Sequence, residues 1–256
     1  MPLRDEAPIG APCWVDIMTT DTAKTQAFYT ELFGWTVDDP GPDYGGYTNF
    51  HKDGHPVAGC MGHTGEGPAN IWSIYLATDD AEKTCEAATA HGGMVMFPPM
   101  DVMALGKMSM VLDPGGAAIG LWQPGEFNGF GVLAEPNTPA WFELHTREYA
   151  KAVQFYRDVF KWDTHVTGDS DEFRYTTLGE GESQAAGIMD ASIFPADAPL
   201  GWSVYFAVED TDAALAKVAK LGGATVIPAE DTPYGRLAAA TDATGSLFKL
   251  VANTGS

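Results

Sequence analysis

Hydrophobic and polar positions along the chain change repeatedly from a strand-like to a helix-like period. Residues 13–18 are apolar except for one acid and rich in Trp, Val and Ile, which predicts a short strand. Apolar residues then recur at helical spacing over 23–33, behind a Thr-Thr-Asp cap, and Gly34 can end the helix. Three further strands are predicted near residues 36–38, 46–51 and 56–61. The first unit is therefore β-α-β-β-β.

The same order of elements returns three more times. A strand at 71–77 precedes a helix at 79–91, which a Gly-Gly pair closes, and three strands follow near 94–97, 107–112 and 117–122. We predict units at 13–62 and 71–123 in one half, and at 140–189 and 201–252 in the other. A stretch rich in Pro, Gly and Asn at 125–139 separates the halves. The predicted domains are 1–126 and 127–256.

The residues themselves repeat along with the elements. Trp-Val-Asp at 14–16, Phe-Tyr at 28–29 and Leu-Phe-Gly-Trp at 32–35 recur as Trp-Phe-Glu at 141–143, Phe-Tyr at 155–156 and Val-Phe-Lys-Trp at 159–162. Trp-Ser-Ile-Tyr at 72–75 recurs as Trp-Ser-Val-Tyr at 202–205. Two such series in one chain indicate an internal duplication.

Four β-α-β-β-β units with this strand, helix and Leu-Phe-Gly-Trp pattern resemble the vicinal oxygen chelate superfamily of glyoxalases, bleomycin-resistance proteins and extradiol dioxygenases. The resemblance covers nearly the whole chain. It is closest to the tandem two-domain proteins of actinobacteria that are called hydroxylases or culture-filtrate antigens. It implies an α+β fold, with four βαβββ units forming two glyoxalase-like domains whose mixed sheets curl into cups that hold a ligand.

The same resemblance implies that the metal of many relatives is missing. Those relatives place a His fourteen residues before the Phe of Phe-Tyr, another His at the start of the fifth strand and a Glu in the last strand. The corresponding positions here are Trp14, Trp72 and Gly120 in one half and Trp141, Trp202 and Lys249 in the other. Indole nitrogen donates and has no lone pair for a metal, and an ammonium repels one. We therefore expect no metal site and no cofactor. The histidines at 51, 55 and 63 are expected to point apart in loops.

The first cup is predicted to be lined with aromatic and methionine side chains. Since strand residues alternate faces, the side chains two apart from the lost ligand positions share the cup. The expected lining is Trp14, Asp16, Met18, Tyr47, Trp72, Ile74, Met108, Met110, Gly120 and Trp122. It suits a flat apolar ligand with a hydrogen-bond donor. The alternative is that these residues only pack the interior.

Asp16 bears on that choice, because a lone carboxylate among indoles is costly to keep charged. It is either a functional group with a raised pKa or a structural acid hydrogen-bonded to a backbone amide or to Tyr47.

The second cup is expected to contain Trp141, Glu143, His145, Trp202, Val204, Lys249 and Val251. A structural salt bridge between Glu143 and Lys249 is the simple interpretation. The alternative is that His145 acts as a general base oriented by Glu143.

Charge and cysteine usage restrict the remaining possibilities. The net charge of −21, with 35 acidic against 14 basic residues, opposes binding to nucleic acid or to anionic membranes. Three cysteines without C-x-x-C spacing suit a reducing compartment. With no leader-like start and no long apolar run, we expect a cytoplasmic protein. A monomer or a homodimer is expected, since the duplication already supplies two domains.

Three functions remain open from the sequence. The first is a metal-independent protein that binds a small hydrophobic or aromatic metabolite or antibiotic in a Trp-lined cup. The second is a metal-free acid/base enzyme, an isomerase, lyase or hydroxylase-like protein, in which Asp16, Glu143 or His145 moves a proton. The third is a divalent-metal glyoxalase or dioxygenase.

Overall fold

The computed structural model describes residues 4–38, 41, 44–65 and 67–252, and within them two eight-stranded mixed sheets with four helices. The first sheet has the order β2-β3-β4-β1-β5-β8-β7-β6. Its strands are β1 Pro12–Thr19, β2 Thr36–Asp38, β3 Thr48–Lys52, β4 His55–Gly62, β5 Ile71–Ala77, β6 Met94–Val102, β7 Gly106–Leu112 and β8 Ala118–Pro124. The helices of this half are α1 Thr22–Phe33 and α2 Ala81–Ala90.

The second sheet repeats the first, with the order β10-β11-β12-β9-β13-β16-β15-β14. Its strands are β9 Pro139–Thr146, β10 Thr164–Asp169, β11 Arg174–Leu178, β12 Ala186–Asp190, β13 Gly201–Ala207, β14 Ala224–Thr232, β15 Gly235–Thr241 and β16 Leu247–Ala252. The helices are α3 Tyr149–Phe160 and α4 Thr211–Lys220. The α+β fold of four βαβββ units is confirmed, and the two units of each half join to form one sheet.

The centre of each sheet is the pair of strands that begin the two units. β1 is parallel to β4 and antiparallel to β5, and β9 is in the same way parallel to β12 and antiparallel to β13. The register places Asp16 opposite Ser73 and Glu143 opposite Ser203. Side chains of β1 and β9 thus reach the middle of each sheet, where strands lie on both sides of them.

Short polar side chains define the helix starts. Asp21, Asp80 and Asp210 each accept a hydrogen bond from the backbone N–H three residues further on, at 2.9–3.0 Å, which satisfies one of the free donors of the first turn. Glu148 precedes α3 and makes no such bond. Helix α1 ends at Gly34 in the left-handed conformation, φ 73°, as the sequence predicts.

The helix-facing sides of the two sheets share one core. Tyr29 and Phe33 of α1 contact Phe206 and Phe248 of the second sheet. Trp35 donates its indole N–H to the carbonyl of Asn137, at 2.7 Å, which also joins the two halves. In the mirror contact, the indole of residue 162 donates to the carbonyl of residue 10, at 2.8 Å. Buried residues of both halves therefore form one continuous cluster.

Candidate functional site

Both sheets carry the same three-residue arrangement on the face away from the helices. Trp14 donates its indole N–H to the hydroxyl of Tyr47 at 2.7 Å, and that hydroxyl lies 3.5 Å from Asp16 Oδ2. In the second sheet Trp141 donates to Tyr175 at 2.9 Å, and Tyr175 donates to Glu143 Oε1 at 2.9 Å. We call this face of each sheet its cup.

Each of these tyrosines crosses a glycine on the neighbouring parallel strand. A Cβ atom on Gly59 or on Gly187 would collide with the hydroxyl of Tyr47 or of Tyr175. The register puts these glycines beside Asp16 and Glu143. The missing side chain therefore opens the path from tyrosine to carboxylate in both cups.

The prediction that Trp72 and Ile74 face the first cup is wrong. Trp72 lies opposite Ile17 and Ile74 opposite Val15, so both point to the helix side. Trp72 there donates its indole N–H to the hydroxyl of Tyr29 at 3.0 Å. The cup positions of β5 are instead Ser73 and Tyr75, because cross-strand partners share a face.

The same correction applies to the second cup. Trp202 lies opposite Leu144, Val204 lies opposite Phe142, and the Trp202 indole donates to Tyr156 at 2.8 Å on the helix side. Tyr205, opposite Trp141, takes the cup position that we assigned to Val204.

The structure brings most of the remaining predicted residues together in the first cup. Asp16 is 5% exposed, and the adjoining β7 and β8 place Met108 opposite Trp122 and Met110 opposite Gly120. Met18 lies beside Met61 of β4. The methionines of β7 are half-buried, so this wall of the cup is open to solvent on one side. Flexible, polarisable side chains of this kind adapt to guests of varied shape.

The segment between the two sheets closes one end of the first cup. Phe127 places its ring edge-on to Trp14, with centroids 4.9 Å apart, and 6.0 Å from Trp122. Its carbonyl accepts the Trp122 indole N–H at 2.8 Å, and the ring of Phe130 also packs against Trp14, with centroids 5.5 Å apart. The two phenylalanines of the linker were the sequence signal for this contact, and our prediction missed it.

Among the residues that the structure describes, Asp16 has hydroxyl neighbours but no cationic one. Burial raises the pKa of Asp16 to about 6, against the opposing effect of hydrogen bonds from Tyr75, Tyr47 and Ser73. Burial and the nearby Asp16 charge together raise the pKa of Tyr75 well above its ordinary value. Near neutral pH the floor of this cup therefore offers a titrating carboxyl and two phenolic hydroxyls.

In the second cup, by contrast, the carboxylate is paired. Lys249 Nζ lies 2.9 Å from Glu143 Oε2 and 3.0 Å from the hydroxyl of Tyr205, and both ends of the ion pair are buried. The predicted salt bridge is confirmed. Burial alone would raise the pKa of Glu143, but the ammonium of Lys249 and the contact with His145 outweigh burial and hold it well below its usual range.

His145 completes this cluster. Its Nε2 lies 2.6 Å from Glu143 Oε2 and 3.2 Å from Lys249 Nζ. Its ring meets that of Phe194 edge-on at 5.2 Å, and the side chain keeps 15% of its surface exposed. The candidate acid/base residues of this cup are thus in direct contact.

The cup residues do not fit the divalent metal of other glyoxalase-like proteins. Among the described residues, each cup has one carboxylate at its floor, and the second cup adds only the imidazole of His145. The other central positions carry indole, phenol, hydroxyl or ammonium groups. Within residues 4–38, 41, 44–65 and 67–252, no three His, Cys, Asp or Glu side chains come together as a metal site would require. This includes His51, His55 and His63, although His51 and His55 lie in β3 and β4 and not in loops as predicted. A zinc, iron or manganese centre normally needs three such ligands.

Two surface hollows lie elsewhere. One of about 430 Å³ lies between the end of α2 and α3, beside His91, Pro114 and Phe155, and one of about 120 Å³ lies at the β10–β11 turn. Neither includes the carboxylates of the cups. In the part of the chain that the structure describes, no helix has the length and apolarity needed to span a bilayer.

The sequence of the protein is similar to those of known actinobacterial proteins. CFP32 of Mycobacterium tuberculosis, whose name gives glyoxylase as a provisional assignment, is 37% identical over 98% of both chains. The anthracycline biosynthesis protein DnrV of Streptomyces peucetius is 37% identical over 94% of this chain and 93% of its own.

Solved structures share the fold at low identity. The Mn(II)-bound glyoxalase of Novosphingobium aromaticivorans superposes with a TM-score of 0.67 at 15% identity, covering 96% of this chain and 83% of its own. The 2,3-dioxygenase LapB of Pseudomonas sp. KL28 gives 0.66 at 14% identity, covering 96% and 92%. The family model described as the glyoxalase/bleomycin resistance protein/dioxygenase superfamily matches residues 13–121 and 138–250. The chain belongs to this superfamily, as its sequence pattern predicts.

Proposed function

We propose that the protein binds a small planar aromatic molecule in its first cup without the help of a metal. The observation that carries this proposal is the packing of Phe127 against Trp14 and Trp122. It means that an aromatic ring is already a favourable neighbour for the indoles at the end of this cup. The half-buried Met108 and Met110 extend the same apolar surface outward.

The polar floor suggests which planar molecules fit. A ligand with a ring hydroxyl or keto oxygen can exchange hydrogen bonds with Asp16 and Tyr75, whereas a pure hydrocarbon would leave these groups unpaired. DnrV is named for anthracycline biosynthesis, and anthracyclines are fused-ring compounds with such oxygens. This likeness supports a hydroxylated polycyclic ligand for the present protein.

The second cup is less suited to such a guest. Lys249 occupies the position of Gly120, and its ammonium sits 4.6 Å from the centre of the Tyr205 ring, in contact with Glu143. An ammonium and carboxylate already paired at the floor leave less apolar surface for a flat ring.

The experiment is a titration with 1,8-dihydroxyanthraquinone, followed by quenching of tryptophan fluorescence and by native mass spectrometry. We expect saturable one-to-one binding that EDTA leaves unchanged. Met108→Arg should weaken it at least about tenfold, which corresponds to about 1.4 kcal/mol. The matched control is Leu237→Arg, because Leu237 faces Val251 in the second sheet as Met108 faces Trp122 in the first.

Loss of binding in Leu237→Arg with normal binding in Met108→Arg would move the site to the second cup. A complete lack of saturable binding, or binding abolished by EDTA, would contradict the proposal.

A second candidate function is proton transfer by Asp16 on the bound molecule. One observation favours it: burial raises the pKa of Asp16 to about 6, and this carboxyl has no cationic partner among the described residues. The test is Asp16→Asn, which should still bind the ligand but no longer convert it. If the molecule recovered from the wild-type complex is chemically unchanged, the protein is a binder and this candidate fails.

A further inference from the structure

The carboxylate of Glu143 is enclosed by donors. Tyr175 donates to its Oε1 at 2.9 Å, while Tyr205 and Lys249 donate to its Oε2 at 2.6 and 2.9 Å. Glu143 is 7% exposed. A buried carboxylate with this many donors stays ionised and fixed in direction, so it can orient a further group.

His145 is the group that Glu143 orients. The separation of 2.6 Å between Nε2 and Glu143 Oε2 is that of a strong, charge-assisted hydrogen bond, and only a protonated Nε2 can donate it. Lys249, 3.2 Å from Nε2, has no lone pair to accept that proton and directs its own donors to Glu143 and Tyr205. In the neutral imidazole the lone pair is then on Nδ1, which has no hydrogen-bond partner among the described residues.

We propose that the second cup is a metal-free proton-transfer site, in which Nδ1 of His145 removes a proton from a weak carbon or oxygen acid held against aromatic side chains. The arrangement is that of a general base whose second nitrogen is fixed by a carboxylate. This proposal does not depend on ligand binding in the first cup.

The surroundings define the class of acid. Phe194 meets the imidazole edge-on, and Phe173 stacks on Tyr175 with centroids 5.6 Å apart and planes 6° apart. Tyr234, 61% exposed at the tip of the β14–β15 hairpin, stacks in turn on Phe173. Hairpins from both edges of the sheet thus meet above this cup. A flat, uncharged carbon acid, with its C–H next to a carbonyl or in an electron-poor ring, fits such walls.

The proton transfer balances without a further reactant. The C–H bond breaks, its proton goes to Nδ1, and its electron pair moves into the adjoining carbonyl or onto a leaving oxygen within the same molecule. Glu143 remains an anion and stabilises the imidazolium. Return of the proton to a different atom completes an isomerisation. Among the described residues, the charged groups in contact with His145 are Glu143 and Lys249, and Tyr205 is hydrogen-bonded to both of them.

The probe is 5-nitrobenzisoxazole, a planar carbon acid that opens to a coloured phenolate when a base removes its C–H proton and its N–O bond breaks. We expect a rate above that of free imidazole at equal concentration. His145→Gln should lower this rate about 100-fold or more. The matched control is His91→Gln, a surface imidazole outside both cups, which should leave the rate unchanged.

A rate that survives in His145→Gln, or that never exceeds free imidazole, would overturn the proposal. A loss that occurs in Asp16→Asn instead would assign the chemistry to the first cup. As a second measurement, diethyl pyrocarbonate should modify His145 of the folded wild-type protein, because Nδ1 is free. Complete protection of His145 would show that the imidazole is only structural.

Discussion

Two differences between the duplicated halves, Lys249 in place of Gly120 and His145 in place of Met18, give two equivalent carboxyl groups opposite properties. Asp16 and Glu143 occupy the same register position, and each is contacted by equivalent tyrosines. Where the first sheet has Gly120, the second has Lys249. Without the ammonium, burial dominates and raises the pKa of Asp16; with it, the pKa of Glu143 falls. The first carboxyl is therefore free to titrate, while the second is locked in an ion pair.

Asp16 should make stability depend on pH. Because the pKa is near 4 in the unfolded chain and about 6 in the folded protein, the folded state binds the proton more tightly, and stability falls as pH rises from 4 to 6. Asp16→Asn removes this effect. We expect its unfolding free energy, relative to wild type, to rise by about 2 kcal/mol between pH 4 and pH 7. Urea unfolding at the two pH values measures the difference, and an unchanged difference would refute it.

Replacing Lys249 without replacing Glu143 should destabilise the folded protein. Lys249→Met leaves the Glu143 carboxylate buried without its counter-ion, which should lower the unfolding free energy by about 3–5 kcal/mol at pH 7. The pKa of Glu143 is lowered in the fold, so its stabilising contribution is present above the unfolded pKa and is lost as pH falls. The cost of Lys249→Met should therefore shrink in acid.

The matched control is the double variant Glu143→Gln/Lys249→Met, which removes both charges and should recover most of the loss. Additive losses in urea unfolding of the single and double variants would show that the two residues are not coupled.

At the scale of elements, the sequence predicted much because each signal was local. Helical spacing, an Asp cap and a terminal glycine marked α1, and the strand at 71–77 was predicted with its observed bounds. The face of the sheet to which each side chain of that strand points was not predictable in the same way. Both Trp72 and Tyr75 are large, aromatic and buried, so alternation alone does not decide which of them faces the cup. Only the pairing of Asp16 with Ser73 fixes the face, and pairing is a tertiary property.

The helix caps offer a matched pair of substitutions. Asp210 caps α4 by accepting from the N–H of Ala213 at 2.9 Å, whereas Glu148 makes no side-chain cap bond at α3. We expect Asp210→Ala to lower the unfolding free energy by about 1 kcal/mol and Glu148→Ala to change it by less than about half of that. Thermal unfolding of the two variants would measure this. Equal losses would mean that the cap bond contributes nothing of its own.

At the scale of the whole molecule, the duplication yields two sheets that depend on one another. The sequence predicts two halves because the repeat is visible in single residues, but it gives no sign that Tyr29 packs on Phe206 and Phe248 of the other half. The sequence also gave no sign that the side chain of Phe127, in the linker, packs against Trp14 at the end of the first cup. These contacts join residues more than 100 positions apart. The residues involved are apolar whichever partner they pack against, so the sequence indicates that they are buried but not which residues they contact.

The shared core should make the protein unfold as one unit. Phe206 belongs to the second sheet, yet its fully buried ring contacts Phe33, Trp35 and Trp72 of the first half. Phe206→Ala should lower the unfolding free energy by about 3–5 kcal/mol, because it leaves a cavity between the halves. Hydrogen exchange followed by mass spectrometry should then show that amide protection falls in β1 and β5 as well as in β13.

If the halves were independent, the substitution would lower protection in the second sheet alone and produce two separate unfolding transitions by circular dichroism. Ile188→Ala is the control, because Ile188 is buried in the second sheet and, being aliphatic, takes no part in the aromatic contacts between the halves. A loss of protection in β1 from Phe206→Ala that exceeds the loss from Ile188→Ala at equal destabilisation would show that the shared aromatic core couples the two sheets. Binding of a ligand in one cup would then also stabilise the other, because any free energy gained by the folded state is gained by both sheets together.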